Sequence, residues 1–356
     1  MAILADTIDG VIGVDTHRDT LTAAAVTAIG GLLADATAST DAAGYRQLLG
    51  FATSHLPGRR CWAIEGAGSF GAGLATFLLD QGEQVIEVPR RRRSTRRTAA
   101  KSDPLDAVHI ARDALITQHP AIVRRRGDRE ALRVLLTTRR NAVTAWTQTV
   151  SQLKALIVSA PEELRAELRG RGTKAQITYC AALRERPTRS LEHQMTARAL
   201  HATARRCQLL RAEINQHQHD LHTLVVGIAP WLLELPGVGP ITATQILISW
   251  SHAGRWRSEA AFAAQAGTSP IPASSGQTKR YRLNRRGDRQ LNHALHTIAI
   301  VRMRDDPLTH AYVQRRTTEG KNPREIRRCL KRIIARQLYN LLKHYDRPAI
   351  QILHTT

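Results

Sequence analysis

Apolar residues in the first ninety positions fall in short runs broken by polar residues and glycines, the spacing of strands. VIGVDT (11–16) reads as a buried strand, and LTAAAVTA and LLADATAS flank Gly30-Gly31 as a hairpin. The stretch from Asp41 to His55 reads as a helix. CWAIEG (61–66) and QVIEVP (84–89) read as two more strands, separated by a helix over 70–81. The order is β-β-β-α-β-α-β, so the pattern predicts an α/β region. Ser102-Asp103-Pro104 then places an N-cap candidate before a proline, which predicts a helix running through Leu105, Val108, Ile110 and Leu115.

Beyond residue 130 the period changes. Leu132, Leu136, Val143, Trp146, Val150, Leu153 and Ile157 form a 4-3-4-3 seam broken by Arg139, which predicts a coiled coil. Leu200, Cys207, Leu210, Ile214, Leu221 and Leu224 repeat the spacing, with Thr203 and His217 interrupting it. The intervening Pro161, Gly170, Gly172 and Pro187 break the helical pattern. Two such helices can pair as a hairpin or with a second subunit, and periodicity does not choose between them. After Pro230 a compact helical region is expected. Its last helix puts Ile326, Leu330, Ile333, Ile334, Leu338, Leu341 and Leu342 on one face and Arg324, Arg327, Arg328, Lys331, Arg332 and Arg336 on the other.

Composition narrows the partners. Fifty-two Lys and Arg against 30 Asp and Glu give a net charge of +22 over 356 residues. The excess runs along the whole length, which favours a polyanion, with nucleic acid the commonest, over a small acidic substrate. Only 4% of residues are aromatic, so phosphate contacts and not base stacking must supply most of the affinity. Cys61, Cys180, Cys207 and Cys329 form no CxxC pair, which argues against a zinc ribbon and a disulfide framework and suggests reduced intracellular thiols. The chain opens on MAILADTIDG, without the basic segment of a signal peptide, and has no run of about 18 apolar residues. A soluble, cytoplasmic protein with no membrane partner is expected.

Candidate chemistry gathers in two places. Asp15 and Glu65 end predicted strands, and Asp103 and Asp106 lie three apart on one helix face. Converging at one sheet edge, the four would suit Mg²⁺ or Mn²⁺, hard ions that prefer oxygen ligands. Singly, Asp103 also reads as an N-cap, Glu65 as a loop charge and Asp15 as a turn residue; their shared strand-end placement favours the metal reading. The tract holding Arg90, Arg91, Arg92, Arg93, Arg96, Arg97 and Lys101 runs up to these acids and is expected to track a phosphate backbone. The second place is the Gly/Ser/Pro-rich GTSPIPASSG, followed by Lys279, Arg280, Arg282, Arg285, Arg286 and Arg289. Dense arginine suits a phosphoryl target, yet Ser274-Ser275-Gly276 by itself reads as a flexible turn, and the physical argument alone makes neither serine catalytic. LPGVGP (235–240) resembles a helix-hairpin-helix turn that holds a DNA phosphate, although an ordinary helix corner is the simpler reading. His217, His219 and His222 read as polar surface.

IGVDTH, AIEGAGSFG, KSDPLDA, the heptad middle, LPGVGP, and AGTSPIPASSG with NRRGDRQLNHAL together resemble one family, the DEDD-type insertion-sequence transposases, which are bridge-RNA-guided serine recombinases. The resemblance implies an α/β N-terminal ribonuclease-H-like (RuvC-like) domain over 1–122, a coiled-coil dimerisation region over 123–227, and an all-α C-terminal serine transposase domain over 228–356. It implies that Asp15, Glu65, Asp103 and Asp106 are the metal-binding and catalytic acids. Ser275, in the Ser-Gly pair, matches the nucleophile that links covalently to DNA phosphate, with Ser274 one step away. Target and donor DNA, an element-encoded guide RNA, and a homo-oligomer from dimer to tetramer are the implied partners. The basic residues named above, with Arg327, Arg328 and Lys331, would contact nucleic acid. The competing reading is a metal-dependent junction-resolving nuclease that needs no serine.

Overall fold

The computed structural model describes residues 3–88, 103–117, 121–123, 126–184, 188–251, 255–272, 281–282, 284 and 287–345, with Asp103, Ala121, Pro272, Tyr281 and Arg282 described as backbone only. The chain divides at Arg126/Gly127 into two compact units.

The first unit is built on a six-stranded mixed sheet ordered β3-β2-β1-β4-β5-β6. β1 (Gly10–Thr16), β4 (Arg60–Glu65) and β5 (Val85–Val88) run parallel, as their helical crossovers require. β2 (Thr20–Thr27) and β3 (Leu32–Ser39) form the expected antiparallel hairpin at the β1 edge. At the other edge β6 (Ala121–Ile122) pairs antiparallel with β5.

Strand alternation divides the apolar side chains between two layers. Ile12, Val14, Leu21, Trp62 and Ile64 pack against Leu48 and Ala52 of α1 (Ala42–His55) and Leu74 and Leu78 of α2 (Ala72–Asp80). Val11, Cys61, Ala63 and Ile86 pack on the opposite face, against Ala107, Val108, Ala111 and Ala114 of α3 (Asp103–Leu115). α1 starts where Asp41 accepts the amides of Ala43 and Gly44, both at 2.9 Å. At the base of β4, Glu83 takes Arg60 Nε at 3.0 Å and the Trp62 indole N–H at 2.8 Å, so the indole is satisfied inside the core.

The second unit is helical. Two long helices, α4 (Asp128–Ser159) and α7 (Leu191–Ile228), pair within the chain as an antiparallel hairpin. Leu132 and Leu136 share a cluster with Leu221 and Val225, while Leu153 and Ile157 meet Ala197, Leu200 and Ala204 at the far end. The stretch between them, read from sequence only as a break, holds α5 (Glu162–Leu168) and α6 (Thr173–Ala181).

After the hairpin come α8 (Pro240–Trp250), α9 (Glu259–Gln265), a short pairing of β7 (Ile271–Pro272) with β8 (Tyr281–Arg282), α10 (Arg289–Asp305), α11 (Pro307–Thr318) and α12 (Pro323–Tyr345). Trp250, Phe262, Leu295, Ile298 and Leu338 form one core with Leu132, Leu136, Leu221 and Val225. The 122/123 boundary expected from sequence lies four residues before the observed division, and no division falls at 227/228, because this core spans it. Among the described residues no helix is long and apolar enough to cross a membrane.

Candidate active site

β1 and β4 are parallel neighbours, with Val14 opposite Ile64 as the last registered pair. The next residues along are Asp15 and Glu65, so the register sets these two carboxylates side by side at the C-terminal ends of strands ~4.8 Å apart. The Thr16 hydroxyl ties the two strand ends by donating to the Glu65 carbonyl at 2.8 Å. Each acid lies two residues beyond Gly13 or Ala63, and the alternation therefore puts both on the α3 face of the sheet.

α3 crosses β1 with its N-terminus at that same edge. A Cβ on Gly13 would stand 2.2 Å from the Ala107 carbonyl oxygen and 2.6 Å from the Ala111 amide nitrogen, so only glycine permits this crossing. Farther along α3, Arg112 Nε reaches the Gly30 carbonyl at 3.0 Å, beside the opposite end of β1. Asp106, immediately before Ala107, thus belongs to the end of α3 that overlies the Asp15–Glu65 edge. In a doubly covered parallel arrangement the carboxyl ends of the strands are where ligands bind.

Asp15 keeps 14% of its side chain exposed and faces His17 Nε2 at 3.3 Å. No Lys or Arg pairs with Asp15 or Asp106 among the described residues. The four-acid cluster expected from sequence is not assembled to that extent: among the described residues no three His, Cys, Asp or Glu side chains stand close enough to share one ion, and the Asp103 side chain lies outside them. The donor set that the topology gathers, hard carboxylate oxygens, fits a divalent ion.

The other expected site residues divide by position. Arg90 to Arg93, Arg96, Arg97, Lys101, Ser274, Ser275, Lys279, Arg280, Arg285 and Arg286 all lie outside the described residues, as does the side chain of Arg282. Arg327, Arg328 and Lys331 are on α12, whose apolar stripe is buried at Ile326, Leu330, Ile334 and Leu338 as expected. Ile333, expected in that stripe, is instead 46% exposed. The LPGVGP turn packs as a helix corner. Gly237 has φ +76°, and Arg302, 7% exposed, donates Nε to the Pro236 carbonyl at 2.7 Å and Nη1 to Gln337 Oε1 at 2.9 Å. The Gly239 amide bonds Thr242 Oγ1 at 3.0 Å.

Sequence reasoning passed over a polar chain that braces the segment after the serine loop. Asp288 accepts the Gln290 and Leu291 amides at 2.9 Å and caps α10. Its second oxygen takes the Ser249 hydroxyl at 2.5 Å; Ser249 accepts from Gln245 Nε2 at 2.8 Å, and Gln245 Oε1 accepts from Arg140 at 2.6 Å. Asp288 directly before a helix was the readable part of this; partners 39 and more residues away were not.

Comparison with known proteins bears on both regions. Residues 12–160 match a DEDD-type IS110 transposase model, and residues 229–314 match one described as "Transposase IS116/IS110/IS902 family". The chain carries IS110/IS116/IS902-family transposase domains. The first match contains Asp15, Glu65, Asp103 and Asp106 and ends one residue beyond α4; the second contains LPGVGP and the serine loop. The transposase is 25% identical over 320 residues to the insertion element IS900 uncharacterized 42 kDa protein of Mycobacterium paratuberculosis, covering 74% of this chain and 78% of the relative. It is 32% identical over 126 residues to the insertion element IS110 uncharacterized 43.6 kDa protein of Streptomyces coelicolor, covering 35% and 30%. The chain is thus a DNA-binding transposase of insertion-sequence type, with a mixed α/β unit followed by a helical one.

Proposed function

We propose that this transposase cuts and rejoins DNA strands through a covalent link between Ser275 and DNA phosphate, with Asp15, Glu65, Asp103 and Asp106 of a ribonuclease-H-like domain as metal ligands. The observation that carries the reading is the meeting of Asp15 and Glu65 at neighbouring strand ends, under the end of α3 that bears Asp106. A divalent ion there, Mg²⁺ or Mn²⁺, supplies Lewis-acid neutralisation of phosphate charge. Ser275 gives up its proton and attacks phosphorus. The Oγ–P bond forms as one P–O ester bond breaks, and the released oxygen takes a proton as a free hydroxyl end. Attack by a hydroxyl of the partner strand on the same phosphorus restores a diester and returns the serine, so rejoining draws on no outside energy source. The arginines that follow the loop neutralise charge on the transferred phosphoryl group. An element-encoded guide RNA and assembly as dimers to tetramers are supported by the family resemblance, and the charge of +22 suits two polyanions.

The acid edge belongs to the first unit alone, and that favours one competing reading, a junction-resolving nuclease with metal-activated water. The discriminating experiment assays strand exchange on donor and target DNA with RNA transcribed from the element ends. Ser275→Ala is expected to keep binding and lose exchange, and the wild-type reaction to give a protein–DNA adduct that mass spectrometry maps to residue 275. A fully active Ser275→Ala without any serine adduct would establish the nuclease instead. Asp15→Asn is expected to abolish cleavage with unchanged thermal unfolding; full activity would remove the acids from the mechanism.

A further inference from the structure

A cavity of about 470 Å³ lies between Gly267–Pro270, the segment after α9, and α12. Its charged lining is unbalanced: Arg316, Lys321, Arg328, Lys331 and Arg332 face a single acid, Glu325. Some of that charge is already matched. Arg332 pairs with Glu259 of α9 at 2.8 Å, Arg316 pairs with Glu319, and Glu325 caps its own helix by accepting the Asn322 amide at 3.0 Å. Lys321, Arg328 and Lys331 have no acidic partner among the described residues.

Lys331 stands out because it is half-buried. Its ammonium donates to Asn292 Oδ1 at 2.6 Å, a neutral amide, and Asn292 is fixed by its own bond to the Ala266 carbonyl at 2.6 Å, directly before the cavity wall. Burial and the nearby Arg328 hold Lys331 below the ordinary lysine value. His296 of α10 is likewise pushed down by burial and then by Lys331, Arg327 and His293. A buried cation held by an amide, among cations that repel it, is unfavourable until an anion arrives. Beside the charges, Pro270 and the exposed Ile333 supply apolar wall, as a phosphate with its sugar attached would require. Pro270 leads into Ser274-Ser275, and five residues of chain span at most about 18 Å.

We propose that this cavity is a subsite for a nucleic-acid backbone phosphate, gripped by Lys331 and Arg328 across from Gly267–Pro270. It deepens the reading of this chain as a serine-dependent transposase, but its test needs no strand exchange. Full-length wild type, Lys331→Gln, Arg328→Gln and Lys331→Arg are titrated with a target DNA duplex and, separately, with element RNA from 50 to 300 mM salt. Each neutral variant is expected to lower the slope of log affinity against log salt by about one on the polymer that occupies the cavity, with Lys331→Arg retaining the slope. Which polymer shows the change identifies the source of the phosphate. Inorganic phosphate, compared with chloride at equal ionic strength, should raise the wild-type melting temperature more than that of either neutral variant. Wild-type slopes on both polymers together with an undiminished phosphate effect in both variants would overturn the proposal. Failure of the serine mechanism would appear in the Ser275→Ala assay and leave these binding results standing.

Discussion

Gly13 is the residue on which the acid edge most depends, although it carries no chemistry. Its missing side chain lets α3 lie on β1, and α3 carries Asp106. Gly13→Ala must push the helix outward, an overpacking that costs typically 1–3 kcal/mol. The expected outcome is a lower urea midpoint with a nearly unchanged slope, and a loss of DNA cleavage larger than the unfolded fraction explains. Cleavage that fell only in step with stability would mean that the exact seating of α3 is immaterial. Asp15 and Glu65 were legible beforehand because strand alternation and strand ends are local properties. The close crossing at Gly13 was not, since nothing in VIGVDT says which helix will lie across it, and the spacing of Asp103 from Asp106 says nothing of the distance to β1.

Among the elements, the α4–α7 hairpin shows what periodicity conveys and where it stops. The row Leu200, Cys207, Ile214, Leu221 is buried as the heptads predict. The second row shifts by one residue at its two ends, where Ala204 and Val225 are buried, while Thr203, Leu210, His217 and Leu224 are only half-buried and Arg211 and Gln218 are exposed. The spacing is 4-3 in either register, so sequence periodicity leaves the choice to the packing partner. The elements that went unread are short, β6 with two residues and α5 with seven, too few for a period to emerge. In α4 the seam-breaking Arg139 donates to Gln218 at 3.2 Å and, two turns on, Trp146 lies under Arg211 at 3.9 Å. Burial, and then Arg211, hold Arg139 below the usual arginine value. Arg139→Leu is therefore expected to leave the urea midpoint unchanged or raise it, while Leu200→Ala should lower stability by about 2–5 kcal/mol. A drop for Arg139→Leu comparable to that of Leu200→Ala would mean that the arginine is part of what holds the hairpin together.

For the molecule as a whole, the decisive feature is the position of the division between the two compact units, at Arg126/Gly127, together with a core that ties both ends of the hairpin base to the C-terminal helices. A fragment of residues 127–356 is expected to unfold cooperatively by circular dichroism. A fragment of residues 228–356, stripped of Leu132, Leu136, Leu221 and Val225, is expected to expose apolar surface and aggregate. Cooperative folding of the shorter fragment would show that the hairpin is dispensable to that core. The same boundary governs heredity. Where two related insertion elements exchange sequence, a crossover between codons 126 and 127 keeps the core inside each compact unit intact, whereas one between codons 227 and 228 yields a mosaic whose halves were selected against different neighbours. Lineages assembled by such exchange should therefore carry their breakpoints near the first junction and lack them at the second.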